Sequence, residues 1–168
     1  MQVIGIDPGL INTGWAVINE DGSKIKLLGS GICKTGSKHD MAIRLVSILE
    51  QLRSVIKKFK IESGAIEKAF VKNDPLAALK LGQARASAMI ALGESKIEVS
   101  EYAPNYVKKI FTGRGHATKE EVERMASLQF PKFCFSRSDE TDALAIAVCH
   151  MHTLKLNSTL SSAIKKAM

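Results

Sequence analysis

The sequence predicts a single α/β domain, a five-stranded mixed β-sheet covered by helices. Three observations carry that prediction. Apolar runs with strand character, Gln2–Ile6, Thr13–Ile18 and Ile25–Cys33, open the chain in quick succession, as hairpin-linked strands do. From His39 onward, segments of helical period alternate with two further strand-like runs, Gly64–Phe70 and Glu98–Tyr102, the pattern of crossover connections in an α/β sheet. The chain has 168 residues, 45% hydrophobic and 24% charged, the length and balance of one buried core.

Each element has its own signal. Asp7-Pro8-Gly9 stops the first strand in a turn, and Asn19-Glu20-Asp21-Gly22 supplies a hairpin turn between the second and third. Between His39 and Phe59 the residues Met41, Leu45, Ile48, Leu52 and Ile56 recur at helical spacing, with lysines 57, 58 and 60 at the C-terminal end, where the helix dipole favours them. Asp74-Pro75 opens a second helix to about Leu92, with Asp as N-cap and Pro at the first helical position. Its alanines, Gly82 and apolar residues on several faces suit the core or a subunit interface. Thr118 and Glu121 form a capping box for a helix ending before Pro131. The last long helix starts at Asp139 and is expected to run to about Leu156. The domain is therefore read as residues 1–156, followed by a polar tail, 157–168, that is expected to fray.

Several classes are excluded. No apolar run approaches the roughly 20 residues of a membrane span, so no membrane association is expected. Met1 leads directly into Val3–Ile6 without the basic and apolar regions of a secretory signal, which points to the cytoplasm. Cys33, Cys134 and Cys149 are odd in number and far apart, so they read as reduced, buried thiols and not as a disulfide or zinc scaffold. His150 and His152 are two apart on a helix and face different ways.

The formal net charge of +7 draws the protein to a polyanion. Against it stand acids in settings that solvation does not require. Asp7 closes an apolar strand, where α/β sheets gather their sites. Glu67 sits in Ala65-Ile66-Glu67, and Asp139 and Asp142 share the first turn of a helix. Individually, Asp7 fits a turn cap, Glu67 an edge position and Asp139 an N-cap equally well. Taken together they suggest a cluster. Two carboxylates about 5 Å apart repel by roughly 3 kcal/mol at an effective dielectric of 20, so a cluster takes up protons or binds cations. Oxygen donors select Mg²⁺ or Mn²⁺ over zinc, and a pair of such ions hydrolyses phosphodiesters.

Ile4-Gly5-Ile6-Asp7-Pro8-Gly9 with Thr13-Gly14-Trp15, then Ala65-Ile66-Glu67 with Phe70, resemble the opening motifs of the RuvC family of Holliday-junction resolvases. The resemblance continues through Ala78-Leu79-Lys80-Leu81-Gly82-Gln83-Ala84-Arg85, Val107-Lys108, Gly113-Arg114-Gly115, Lys119 and Asp139-Glu140-Thr141-Asp142-Ala143-Leu144-Ala145-Ile146-Ala147. It covers residues 2 to 152. It implies an RNase H-like fold and a homodimer formed through the Asp74–Leu92 helix. It also implies paired, symmetric nicks across four-way junction DNA, leaving 5′-phosphate and 3′-hydroxyl ends. By resemblance, Asp7, Glu67, Asp139 and Asp142 hold two Mg²⁺ per subunit, with Mn²⁺ as a substitute, and Lys119 assists at the scissile phosphate. Phe70, Lys108, Lys119, Arg85 and Arg114 contact DNA, and a branch-migration motor delivers the junction. Glu140-Thr141 stand where the family usually has Ala-Ala, and Glu140 is expected to point outward. Three other readings fit less of the sequence: an RNase H-like nuclease acting on RNA or RNA–DNA hybrid, a junction-binding module without chemistry, and an actin-like phosphotransferase, which needs a longer chain.

Overall fold

A computed structural model describes residues 1–22, 24–68 and 74–167. Its sheet contains β1 (Gln2–Asp7), β2 (Asn12–Asp21), β3 (Lys24–Lys34), β4 (Ser63–Glu67) and β5 (Glu98–Tyr102), in the order β3-β2-β1-β4-β5. β1, β2 and β3 form an antiparallel meander, and β4 and β5 extend the sheet parallel to β1. The helices are α1 (Met41–Lys58), α2 (Pro75–Glu94), α3 (Pro104–Thr112), α4 (Lys119–Gln129) and α5 (Ser138–Ala167). The mixed sheet expected from the sequence is present, with β1 at its centre.

Period-two alternation sorts β1 between two cores. Ile4 and Ile6 pack with Ile66 against Ile48, Leu52 and Ile56 of α1 and Ala84, Ala88 and Leu92 of α2. Val3 faces the other way, where Ala16, Ile18 and Ala65 meet Ala143, Leu144, Ala147 and Met151 of α5. α5 lies on the sheet at backbone contact. A Cβ at Gly5 would sit 2.2 Å from the Ala143 carbonyl oxygen, and one at Gly14 would sit 2.0 Å from that of Asp139. Only glycine permits that approach, which seats the start of α5 over the ends of β1 and β2.

The secondary structure and the cysteine burial depart in part from the sequence reading. α5 continues to Ala167, through the segment expected to fray, with Leu156, Leu160 and Ile164 exposed at helical spacing. α3 was not foreseen, although Pro104 in its first turn and Gly113 as a left-handed C-cap are both present. Cys33 and Cys149 are buried as expected, but Cys134 is exposed. β2 runs on through Asn19-Glu20-Asp21, which shortens the expected hairpin turn. Among the described residues no helix is long and apolar enough to cross a membrane.

Candidate active site

Strand register brings the first two carboxylates together. Ile6 lies opposite Ile66 in the parallel β1–β4 pair, so Asp7 and Glu67, the next residues, are neighbours. Both fall on the pleat of Val3 and Ala65, the face that α5 covers. Asp7 is also paired with Gly14 across β2, and the space above Gly14 is filled by Asp139. The first turn of α5 thus delivers Asp139, and one turn on Asp142, to the carboxyl end of β1.

The electrostatics report the same neighbourhood. Burial, then the charges of Glu67, Asp142 and Asp139, hold the Asp7 carboxyl well above the ordinary aspartate range. Burial and then Asp142 push Glu67 up to about 7. Burial raises Asp142 as well. Two lysines oppose these effects: Lys119 acts on Asp7 and Asp142, and Lys108 on Glu67 and Asp142. Lys119, the first residue of α4, donates to Ser138 Oγ at 3.5 Å, and Lys108 donates to the Ala117 carbonyl at 2.8 Å. Among the described residues no three histidine, cysteine or acidic side chains are already drawn into a closed ligand set. The four acids share one electrostatic field, in which the charges of Glu67, Asp142 and Asp139 all act on Asp7. An all-oxygen donor set that two lysines leave under-compensated fits a hard divalent cation.

The remaining candidates are placed differently. Arg85 is ion-paired to Glu101 at 2.6 Å and donates to the Glu67 carbonyl at 3.3 Å, so it braces the end of β4 from the α2 side. Arg114 is exposed and pairs with Glu121 at 2.7 Å. Phe70 lies outside the described residues.

Glu140 does not point outward. It is buried, 6% exposed. Its carboxylate accepts from Ser30 Oγ of β3 at 2.8 Å and from the Ser136 amide and hydroxyl of the loop before α5. Glu140 is therefore a brace between β3 and the start of α5. A second network went unread in the sequence. His150, fully buried, bridges Ser63 Oγ at 2.7 Å and Tyr102 OH at 2.9 Å, and Tyr102 is the β5 partner of Glu67. Burial lowers the His150 pKa to about 4, so the imidazole is neutral at physiological pH. Only the run of apolar residues around His150 hinted that it is interior.

A five-stranded mixed sheet in this order, with carboxylates at the ends of β1 and β4 met by an acidic helix start, defines an RNase H-like nuclease. Residues 3–150 match the family model described as crossover junction endodeoxyribonuclease RuvC. The crossover junction endodeoxyribonuclease RuvC of Cereibacter sphaeroides is 42% identical over 167 residues, 99% of each chain. That of Brucella suis is 42% identical over 152 residues, covering 90% of this chain and 88% of the relative. Among solved structures, T. thermophilus RuvC in complex with Holliday junction substrate superposes with a TM-score of 0.86 at 33% identity, covering 94% of this chain and 96% of that one. The chain belongs to the RuvC family of crossover junction endodeoxyribonucleases.

Proposed function

We propose that this chain resolves four-way DNA junctions by paired, symmetric phosphodiester hydrolysis, leaving 5′-phosphate and 3′-hydroxyl ends. The observation that carries the proposal is the convergence of Asp7, Glu67, Asp139 and Asp142 at one end of β1 and β4, with Lys119 and Lys108 alongside. Asp7, Glu67, Asp139 and Asp142 would hold two divalent ions, Mg²⁺ or Mn²⁺, which supply water activation and charge stabilisation. Asp7, on which the charges of the other three all act, would be the central ligand of that set. Lys119, steadied by Ser138, sets a positive charge where the scissile phosphate must lie. Lys108 and the exposed Arg114 extend that charge along the strand, while Arg85 reaches DNA only by releasing Glu101.

Two identical sites acting on a two-fold junction follow from a C2 dimer. The outer face of α2 suits that contact: Leu76, Leu79 and Ile90 are exposed, and Gly82 and Gly93 are open to close approach. Residues 1–156 form the nuclease domain and the end of α5 lies beyond it. The enzyme works in the cytoplasm, on junctions delivered by a branch-migration motor.

The test is cleavage of a mobile four-way junction beside matched linear duplex and RNA–DNA hybrid, with Mg²⁺, with Mn²⁺ and with EDTA. Symmetric metal-dependent nicks confined to the junction are expected. Cutting of the hybrid alone would reassign the substrate, and binding without cutting would leave a junction-binding module.

A further inference from the structure

Beside the carboxylates, between α4 and the loop that leads into α5, lies a cavity of about 450 Å³. Phe133 and Phe135 form its apolar wall, Glu123 and Ser127 its α4 side, and Cys134 and Arg137 its loop side. Both phenylalanines are only partly buried, packed on the core with one side left to the cavity. The cavity adjoins the carboxylate end of the molecule through its lining residues. Arg137 approaches Asp139 at 3.9 Å, Ser138 on the rim accepts from Lys119, and Glu123 lies within Coulombic reach of Asp142.

Distance along α4 sets the scale of the separation between Lys119 and the cavity. With a rise of about 1.5 Å per residue, Glu123 and Ser127 lie on the order of 6 and 12 Å beyond Lys119. That is one or two nucleotides along a DNA strand whose phosphate sits at the carboxylates. Four-way junctions interrupt base stacking at the point of strand exchange, so a base there leaves the stack at less cost than one inside a duplex. An aromatic wall with hydroxyl and carboxylate acceptors at its edges is the chemistry that receives such a base.

We infer that this cavity is a nucleobase subsite, which takes one unstacked base next to the cleaved bond and thereby sets sequence preference. Phe135 and Phe133 supply the stacking surface, Glu123 accepts from an exocyclic amino group, and Arg137 stands at the mouth for the adjoining phosphate. The inference rests on the junction-cleaving function proposed above.

Two measurements test it. The first uses single abasic substitutions at each position flanking the cut in a four-way junction. One position is expected to slow cleavage about 5- to 150-fold, the range that base–aromatic stacking supplies. In Ser127→Trp, which fills the cavity from an exposed position without disturbing the core, that position-specific penalty disappears. The second measurement labels the wild-type protein with N-ethylmaleimide in EDTA. Cys33 and Cys149 are buried, so the reagent reports Cys134. Four-way junction is expected to protect it at least several-fold more than linear duplex. A wild-type enzyme that cuts junctions with no position-specific abasic penalty, or with the same penalty in Ser127→Trp, or with Cys134 unprotected, overturns the subsite and leaves the function standing. An enzyme that cuts no junction overturns the function itself.

Discussion

Gly14→Ala is the perturbation that most directly probes how the fold makes the site. The added Cβ would stand 2.0 Å from the Asp139 carbonyl oxygen and 2.6 Å from its carbon, where ordinary contact begins at 3.4 Å. β2 is hydrogen-bonded on both sides, to β1 and to β3, so the start of α5 must yield, by about 1.4 Å. That displacement moves Asp139 and Asp142 away from Asp7 and Glu67. Misplacement of about 1 Å costs on the order of 100-fold in rate, and overpacking costs about 1–3 kcal/mol of stability. The assay is single-turnover cleavage of a four-way junction at saturating metal, beside junction affinity and urea unfolding. The rate should fall by about that factor while affinity changes little. Gly22→Ala is the control: at φ +61° with nothing within 4 Å, it should cost about 1–2 kcal/mol and leave the rate alone. If Gly14→Ala cuts and unfolds like the wild type, the seating of α5 on the sheet does not set the site.

Three other outcomes follow from the structure. Glu67 has a pKa raised from 4.5 to about 7, so between those values the native state holds a proton that the unfolded chain has lost. Stability of the metal-free protein should therefore fall as pH rises from about 4.5 to 7, by up to about 3 kcal/mol from this group. Unfolding in EDTA across that range measures it, and added Mg²⁺ should restore more stability at pH 8 than at pH 6. Glu140→Ala should cost about 2–3 kcal/mol in urea unfolding by stranding Ser30 and Ser136, with Glu140→Gln milder because it keeps an acceptor. His150→Ala leaves a cavity and frees the hydroxyls of Ser63 and Tyr102. A loss of about 2–4 kcal/mol is expected from thermal or urea unfolding.

Much of this was legible in the chain because local rules and tertiary packing agree. β1 ends at Asp7 where the apolar run ends, and Asp74, Pro75, Thr118 and Glu121 cap helices as their chemistry dictates. The clustering of Asp7 with Glu67 was expected, but the register that makes them neighbours was not legible, since it depends on which residue of β4 faces Ile6. Glu140 shows the reverse problem. A charge in the first helical turn reads as solvated, and only the position of Ser30, 110 residues away, makes it a buried brace. The alternation Gly5-x-Asp7, opposite Gly14, became meaningful only when α5 was seen lying on both glycines. The serine- and threonine-rich end of α5 looked prone to fray, yet its Leu156, Leu160 and Ile164 stripe keeps helical period to the end. That stripe is exposed, so burial gave no signal.

In the proposed function, the four converging carboxylates cut junction DNA while other surfaces bind it. Asp7→Asn separates the two roles, because it removes one charge at the centre of the cluster and keeps the shape of the side chain. Wild type and variant are compared for single-turnover cleavage of a four-way junction in Mg²⁺ and for junction affinity in EDTA. Cleavage below detection is expected, with affinity equal to or tighter than wild type. A variant that cuts at the wild-type rate would place the chemistry elsewhere in the molecule.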